Sequence, residues 1–219
     1  LEASLDVSSM AKTSTKVFIL EVMGRHAGWI ASSGGLAQKT KDDPPHIILF
    51  PEIPLQIDKF IKKVQETVDR LGFCSIVVSE GVKQENGDFI TDNKNKDAFG
   101  HTQLGGAAPL IARLIEKKLD LKNHWAVSDY LQRSARHLAS KTDVNQAQAV
   151  GEHAVELGLS GKTSIMTTIK RITNQPYTWG LGNVDLDKVA NHEKMLPQDY
   201  ISSDGFGITQ KCKDYLIPL

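Results

Sequence analysis

Only two cysteines, Cys74 and Cys212, occur in the 219 residues, and they stand too far apart for the paired spacing of a zinc site. That scarcity argues against a disulfide-stapled secreted domain and for two reduced thiols in a cytoplasmic protein. No apolar run is long enough to span a bilayer, and no secretory leader is visible. Neither sign of charge is in excess: Lys+Arg and Asp+Glu both number 26. No global field therefore favours nucleic acid or an anionic membrane, and any anion must be bound by a locally built site. Several motifs are missing too. There is no P-loop and no nucleophile elbow. Gly34-Gly35, Gly105-Gly106 and "GLGNVD" at 180–185 lack the strand or the third glycine of a dinucleotide fingerprint. His26, His101, His124 and His137 share no metal-ligand spacing. No general base is evident.

What is present is an alternation. The hydrophobic fraction of 40% and charged fraction of 24% suit a globular protein with a sizeable core. "KVFILEV" (16–22), "HIILF" (46–50), "CSIVVSE" (74–80), "WAVS" (125–128) and "SIMTTIKR" (164–171) read as strands. Their adjacent apolar residues predict cover on both faces, as in a parallel sheet. Between them, apolar residues recur every three or four positions in 56–72, closed by Gly72, and in 107–119. Residues 140–161 open on capping residues and close on Gly158 and Gly161. The expectation is an α/β fold: an open, mostly parallel sheet flanked by helices.

Residues 82–101 read as a polar excursion with a hairpin at Asn86-Gly87. From about 172 the periodicity fades, which predicts an α/β domain over 1–171 and an irregular tail over 172–219 packing back on the molecule. The opening "LEASLDVSSMAKTSTK" reads as an amphipathic piece of a chain already under way, hence a fragment.

In parallel α/β sheets ligands bind beyond the carboxyl ends of the strands. Three such ends carry chemistry: Met23-Gly24-Arg25-His26, Glu80-Gly81, and Asp129 to Ser134 with Tyr130, Leu131, Gln132 and Arg133. Neighbouring strands would bring Arg25, Glu80, Tyr130 and Arg133 together. Two guanidiniums, a phenol and a carboxylate suit a phosphorylated polyol, since arginine grips phosphate oxygens in pairs and a carboxylate accepts from sugar hydroxyls. Gly24 and Gly28 would allow close backbone approach, and a helix beginning near 26 would aim free N–H groups at an anion. Read singly, Arg25 and Arg133 serve equally well as surface ion-pair partners, and Glu80-Gly81 as a plain strand end.

"EVMGRHAGWIA" resembles the fructose 6-phosphate signature of the phosphofructokinases, in the form typical of the pyrophosphate-dependent branch. "VVSEG" (77–81) and "YLQRSARHLASKTD" (130–143) match further family motifs in the right order. The resemblance covers about the carboxyl-terminal half of such an enzyme and implies roles. Met23, Gly24 and Arg25 would hold the sugar phosphate, with Arg25 also near the transferring phosphoryl group. Glu80 would bind sugar hydroxyls, and Tyr130 and Arg133, flanking Leu131 and Gln132, the 6-phosphate. Lys16, with His124 where an arginine is common, would complete a neighbouring subunit's pocket, which implies a homo-oligomer, dimer or tetramer. The family's glycine-rich donor loop, its Thr-Ile-Asp-Asn-Asp segment and its Mg2+-holding acidic groups are not found, so the donor domain and the metal ligands are expected outside this chain. Fructose 6-phosphate and pyrophosphate are the implied substrates, in the cytoplasm; a non-catalytic regulatory subunit and an ATP-dependent enzyme are the rival readings.

Overall fold

The computed structural model describes residues 1–91 and 104–218. Its contacts divide the chain into two compact units, Leu1–Arg133 with Met195–Lys213, and Ser134–Lys194 with Asp214–Leu219.

The first unit is built on four parallel strands, β1 (Val17–Val22), β2 (Ile47–Leu49), β3 (Cys74–Ser79) and β4 (Asn123–Val127), in the order β2-β3-β1-β4. The opening residues form α1 (Glu2–Met10), and α2 (Trp29–Ser33), α3 (Ile57–Leu71) and α4 (Ala107–Leu119) connect the strands in turn. The parallel open sheet expected from the alternation is thus present. Along β1 and β3, successive side chains point to opposite faces. Val17, Ile19, Cys74, Ile76 and Val78 pack with Phe60 and Val64 of α3 and Ile111 and Ile115 of α4. On the other face Val77 and Ile48 meet Ala31 of α2, Leu196 and Ile201. Each fully buried large apolar side chain of this set contributes about 1.5–3 kcal/mol.

The helix α3 forms where the apolar spacing placed it. Gly72 stops it at φ 85°, its amide donating to the Val68 carbonyl. Cover on both faces fails at β4: it is an edge strand, with Trp125 50% and Val127 39% exposed. The hairpin at Asn86-Gly87 is present as a turn in which the Gln84 amide donates to the Asp88 carbonyl. The remainder of that excursion, 92–101 with His101, lies outside the described residues.

In the second unit, α6 (Lys141–Leu159) opens on Ser140, whose hydroxyl accepts from the Asp143 amide. Ahead of it a single turn, α5, spans Leu131–Ser134, of which Leu131, Gln132 and Arg133 belong to the first unit. Two sequence expectations are corrected here. The stretch 164–171 does not join the parallel sheet. It belongs to β5 (Ile165–Asn174), which pairs antiparallel with β6 (Tyr177–Asp185) in a separate two-stranded sheet. The expected irregularity after 172 is therefore a hairpin, and the boundary drawn at 171 falls inside β5. The glycines of "GLGNVD" disguised β6, because they left no apolar row to count. Gly182 lies opposite Thr168, and the Lys170 side chain occupies the space where its Cβ would stand. A glycine inside a strand commonly marks such an approach. The last helix, α7, spans Gln210–Leu216, its residues up to Lys213 belonging to the first unit.

One ion pair in the first unit makes a measurable prediction. Burial alone would raise the Asp204 carboxyl, but the Ser202 hydroxyl, the Lys63 ammonium at 2.9 Å and the Phe206 amide outweigh it and hold the group down to about 2. The folded value is depressed, so its stabilisation is present above the ordinary 3.8 and is lost as pH falls towards 2. Because the Asp204 side chain is 45% exposed, solvent screening cuts the full linkage value to about 1 kcal/mol. Asp204→Asn is expected to cost that amount near neutral pH. Urea melts at a series of pH values should show the gap from the parent closing between pH of about 4 and 2; a gap independent of pH would show that the charge is not its cause.

Candidate functional site

The strand order puts β1 between β3 and β4, so the three chemistry-bearing carboxyl ends are neighbours. Hydrogen bonds then lock them together. The Glu80 amide donates to the Val22 carbonyl at 2.9 Å, and the Ser128 amide to the Glu21 carbonyl at 3.0 Å. The Glu80 Oε1 accepts from the amides of Gly24 and Arg25, each at 3.1 Å. The Met23 amide donates to Gln132 Oε1 at 3.4 Å. Met23, Gly24, Arg25, Glu80 and Gln132 are therefore one connected group, and Arg133 follows Gln132 in α5.

The backbone at these tips is strained. Arg25 has φ 45° and Asp129 φ 38°, both in the left-handed region that non-glycine residues seldom occupy. Such conformations cost about 1–3 kcal/mol each and persist only where the surroundings impose them. For Arg25 the imposing group is the Glu80 carboxylate. Space is also tight: a Cβ on Gly81 would stand 1.4 Å from the Arg25 carbonyl oxygen, and one on Gly24 2.7 Å from that of Ala27.

A cleft of about 110 Å³ opens between the tips, lined by Glu21, Met23, Glu80, Gly105, Val127 and Asp129 among others. Of the residues singled out in the sequence, Met23 and Glu80 line it. Arg25, Tyr130, Leu131 and Arg133 stand on the exposed surface at the same strand ends, Tyr130 and Leu131 being 70% and 72% exposed. The Arg133 guanidinium lies over the Tyr130 ring, 5.9 Å from its centroid. A larger cavity of about 320 Å³, lined by Leu49, Ile53, Lys59, Ile201 and Phe206 among others, contains none of them.

Other expectations change. No helix begins near 26: α2 starts at Trp29 and has five residues. The Gly28 amide already donates to Glu52 Oε1 at 2.8 Å. The close approach Gly28 permits is to Phe50 and Glu52, not to a ligand. His26 stacks on Phe89 with ring centroids 5.5 Å apart. Lys16 precedes β1, so the length of that strand, roughly 20 Å for six residues, separates it from Met23; its ammonium donates to the Ala11 carbonyl. His124 is exposed near the amino end of β4 and pairs with Phe18. Neither Lys16 nor His124 reaches the cleft of its own chain.

Glu21 went unnoticed in the sequence. It is 2% exposed. Its Oε1 accepts from the Gly106 amide at 2.9 Å and its Oε2 from the Ala108 amide at 2.8 Å. Burial raises its pKa, the Ala108 and Gly106 amides partly offset that, and the nearby Glu80 charge raises it further. The signal was one acidic residue inside the otherwise apolar "VFILEV". Among the described residues no group of three or more His, Cys, Asp or Glu side chains is arranged to hold a metal ion.

Three comparisons bear on this arrangement. The family model described as phosphofructokinase matches residues 1–158. The chain is 58% identical over 219 residues to the pyrophosphate–fructose 6-phosphate 1-phosphotransferase of Halomonas elongata, covering 100% of this chain and 52% of that protein. It is 52% identical over 218 residues to the enzyme of the same name from Methylococcus capsulatus, again 100% and 52% of the two lengths. The crystal structure of pyrophosphate-dependent phosphofructokinase from Marinobacter aquaeolei is similar at a TM-score of 0.86 and 52% identity, over 99% of this chain and 51% of that one. The chain thus spans about half the length of the curated relatives it matches.

Proposed function

The chain belongs to the phosphofructokinase family, and from that premise we propose that it is the acceptor-substrate half of a pyrophosphate-dependent 6-phosphofructokinase. The whole enzyme would transfer a phosphoryl group from pyrophosphate to fructose 6-phosphate, giving fructose 1,6-bisphosphate. The observation that carries this reading is the junction of three strand tips, where one Glu80 oxygen grips the amides of Gly24 and Arg25.

Each residue then has a task. Arg25, held in its strained conformation, faces the phosphoryl group in transfer and stabilises its charge, while Met23 and Gly24 shape the turn beneath the sugar. Glu80, lining the cleft, accepts from sugar hydroxyls on the side that carboxylates make unfavourable to phosphate. The 6-phosphate goes to Arg133 and Tyr130, the guanidinium lying over the phenol ring at 5.9 Å from its centroid and offering phosphate its in-plane N–H fork, on the turn that Leu131 and Gln132 anchor. Phosphoryl transfer asks the protein for placement and charge, and these residues supply both on the acceptor side. Magnesium would be held by acidic groups of the donor-binding half; among the described residues no three His, Cys, Asp or Glu side chains are grouped to hold a metal ion.

Lys16 and His124, far from their own cleft, are suited to another copy's phosphate pocket, which makes the enzyme a homo-oligomer. Its place is the cytoplasm, where its sugar phosphate is made and used; among the described residues no helix is long and apolar enough to cross a membrane. The test is turnover of the full-length protein with each donor. Pyrophosphate is expected to support phosphorylation of fructose 6-phosphate at least about tenfold better than ATP, in line with the discrimination a polar site can impose. Equal or better use of ATP would overturn the donor. Binding of the sugar phosphate without turnover on either donor would overturn catalysis in favour of a regulatory subunit.

A further inference from the structure

Glu21 is out of keeping with the strand that carries it. It continues the row of Val17 and Ile19 on the face packed against α3 and α4, yet it is a carboxylate shut away from solvent. A buried carboxylate must find donors or carry a heavy desolvation cost. Glu21 finds them at the start of α4, one oxygen on the Gly106 amide and the other on the Ala108 amide. That helix has Gly106 at its N-cap position and no side-chain cap of its own. The cap comes instead from the neighbouring strand, as a carboxyl group whose two oxygens accept from the amides at the positive end of the helix. Gly105 and Gly106, at φ 126° and 87°, bring the chain round onto the carboxylate, and Gly105 is itself a wall of the cleft.

The main chain of the same residue holds the opposite wall. The Glu21 carbonyl accepts from the Ser128 amide, one residue before Asp129, which also lines the cleft. Met23, a third lining residue, follows Glu21 by two positions, just past the end of β1. The side chain thus fixes one wall of the space beside Glu80 and the carbonyl another.

We infer that Glu21 is a positioning residue of the acceptor site: by clamping the start of α4 onto the tip of β1 it sets the width of the cleft between Gly105 and Glu80. This rests on the reading of that cleft as the sugar subsite. A cap that merely stabilised α4 would shift the melting temperature and leave substrate constants alone. A clamp that sets the cleft width moves the Michaelis constant for the sugar phosphate while the donor's stays put.

The experiment uses the full-length enzyme with Glu21→Gln. Glutamine keeps the size and one acceptor but turns an NH2 towards the second amide, so half the clamp is lost. The Michaelis constant for fructose 6-phosphate is expected to rise about tenfold, the effect of one lost hydrogen bond to a charged group. That for pyrophosphate should stay within about twofold, and kcat should fall by less than the sugar constant rises. Glu21→Asp, which retains the charge on a shorter arm, should recover part of the loss. A lowered melting temperature with an unchanged sugar constant overturns the inference. If Glu21→Gln does not fold, Gly105→Ala approaches the same contact from the other side, since its Cβ would stand 3.7 Å from Glu21 Oε1 on a left-handed backbone. The same selective rise is expected there, and its absence overturns the inference. Calorimetry of the unsubstituted enzyme separates the two levels: no binding of fructose 6-phosphate sinks the sugar subsite itself and the inference with it.

Discussion

Replacing Gly81 by alanine in the full-length enzyme is expected to lower kcat/KM for fructose 6-phosphate by more than about 100-fold, the order of loss that a misplacement of about 1 Å produces. The added methyl would stand 1.4 Å from the Arg25 carbonyl oxygen and 2.5 Å from its carbonyl carbon. These are backbone atoms, so no side-chain rotation relieves the overlap. Something must move, and the two sides are not equally free to do so. Gly81 is buried and follows β3, whose residues pair with β1 along their whole length. Arg25 sits in an exposed turn, already strained and held by Glu80 through two amides. The turn gives way, and the guanidinium it carries goes with it. Overpacking of this kind costs about 1–3 kcal/mol in stability, so cooperative unfolding should survive while catalysis does not. Gly151→Ala is the matched control: a Cβ there meets nothing within 4 Å, and the site lies in the interior of α6. There alanine should be neutral or stabilising by up to about 1 kcal/mol. A Gly81→Ala enzyme that keeps kcat/KM within about threefold would show that the Met-Gly-Arg turn is not where the sugar phosphate is held.

The same residues show what a sequence discloses and what it withholds. α3 and α4 were legible because their apolar rows repeat at helical spacing over 15 and 13 residues, and Gly72 marks a stop by chemistry rather than by pattern. The three strand tips were legible because a rule of topology, not of sequence, says where ligands bind in parallel sheets; only the order β3-β1-β4 had to prove favourable. Of the hairpin only the first strand was legible, in the run 164–171 that falls largely within β5. Its partner was not, because Gly180 and Gly182 interrupt the β-branched run that would have announced β6. Glu21 escaped for the opposite reason. Its neighbours were so plainly a buried strand that one carboxylate looked like noise, and its partners lie 85 and 87 positions away. The start of α2 was displaced because Gly28 serves Glu52 and Phe50, a packing role that resembles a ligand-binding one until the partner is seen.

Arg133→Ala should raise the Michaelis constant for fructose 6-phosphate between about tenfold and 100-fold, the range for losing a charge-assisted hydrogen bond or a bidentate pair. Two features bear on the size of the effect. The guanidinium is already placed against the Tyr130 ring, so little of its freedom remains to be lost when phosphate arrives. Its turn is tied through Gln132 to Met23, so in the proposed site the 6-phosphate and the reacting end of the sugar would be held at a set separation. A contact made equally in the ground and transition states shows its loss in KM rather than in kcat, and that is the split expected here. Arg133→Lys should recover less than half of that loss on a logarithmic scale, since an ammonium offers a point charge without the planar fork. The constant for pyrophosphate should move by less than about threefold, because the role proposed for Arg133 lies on the acceptor side alone. A sugar constant that stays within a factor of about two in Arg133→Ala would remove this residue from the phosphate pocket and leave Tyr130 with no charged partner there from its own chain.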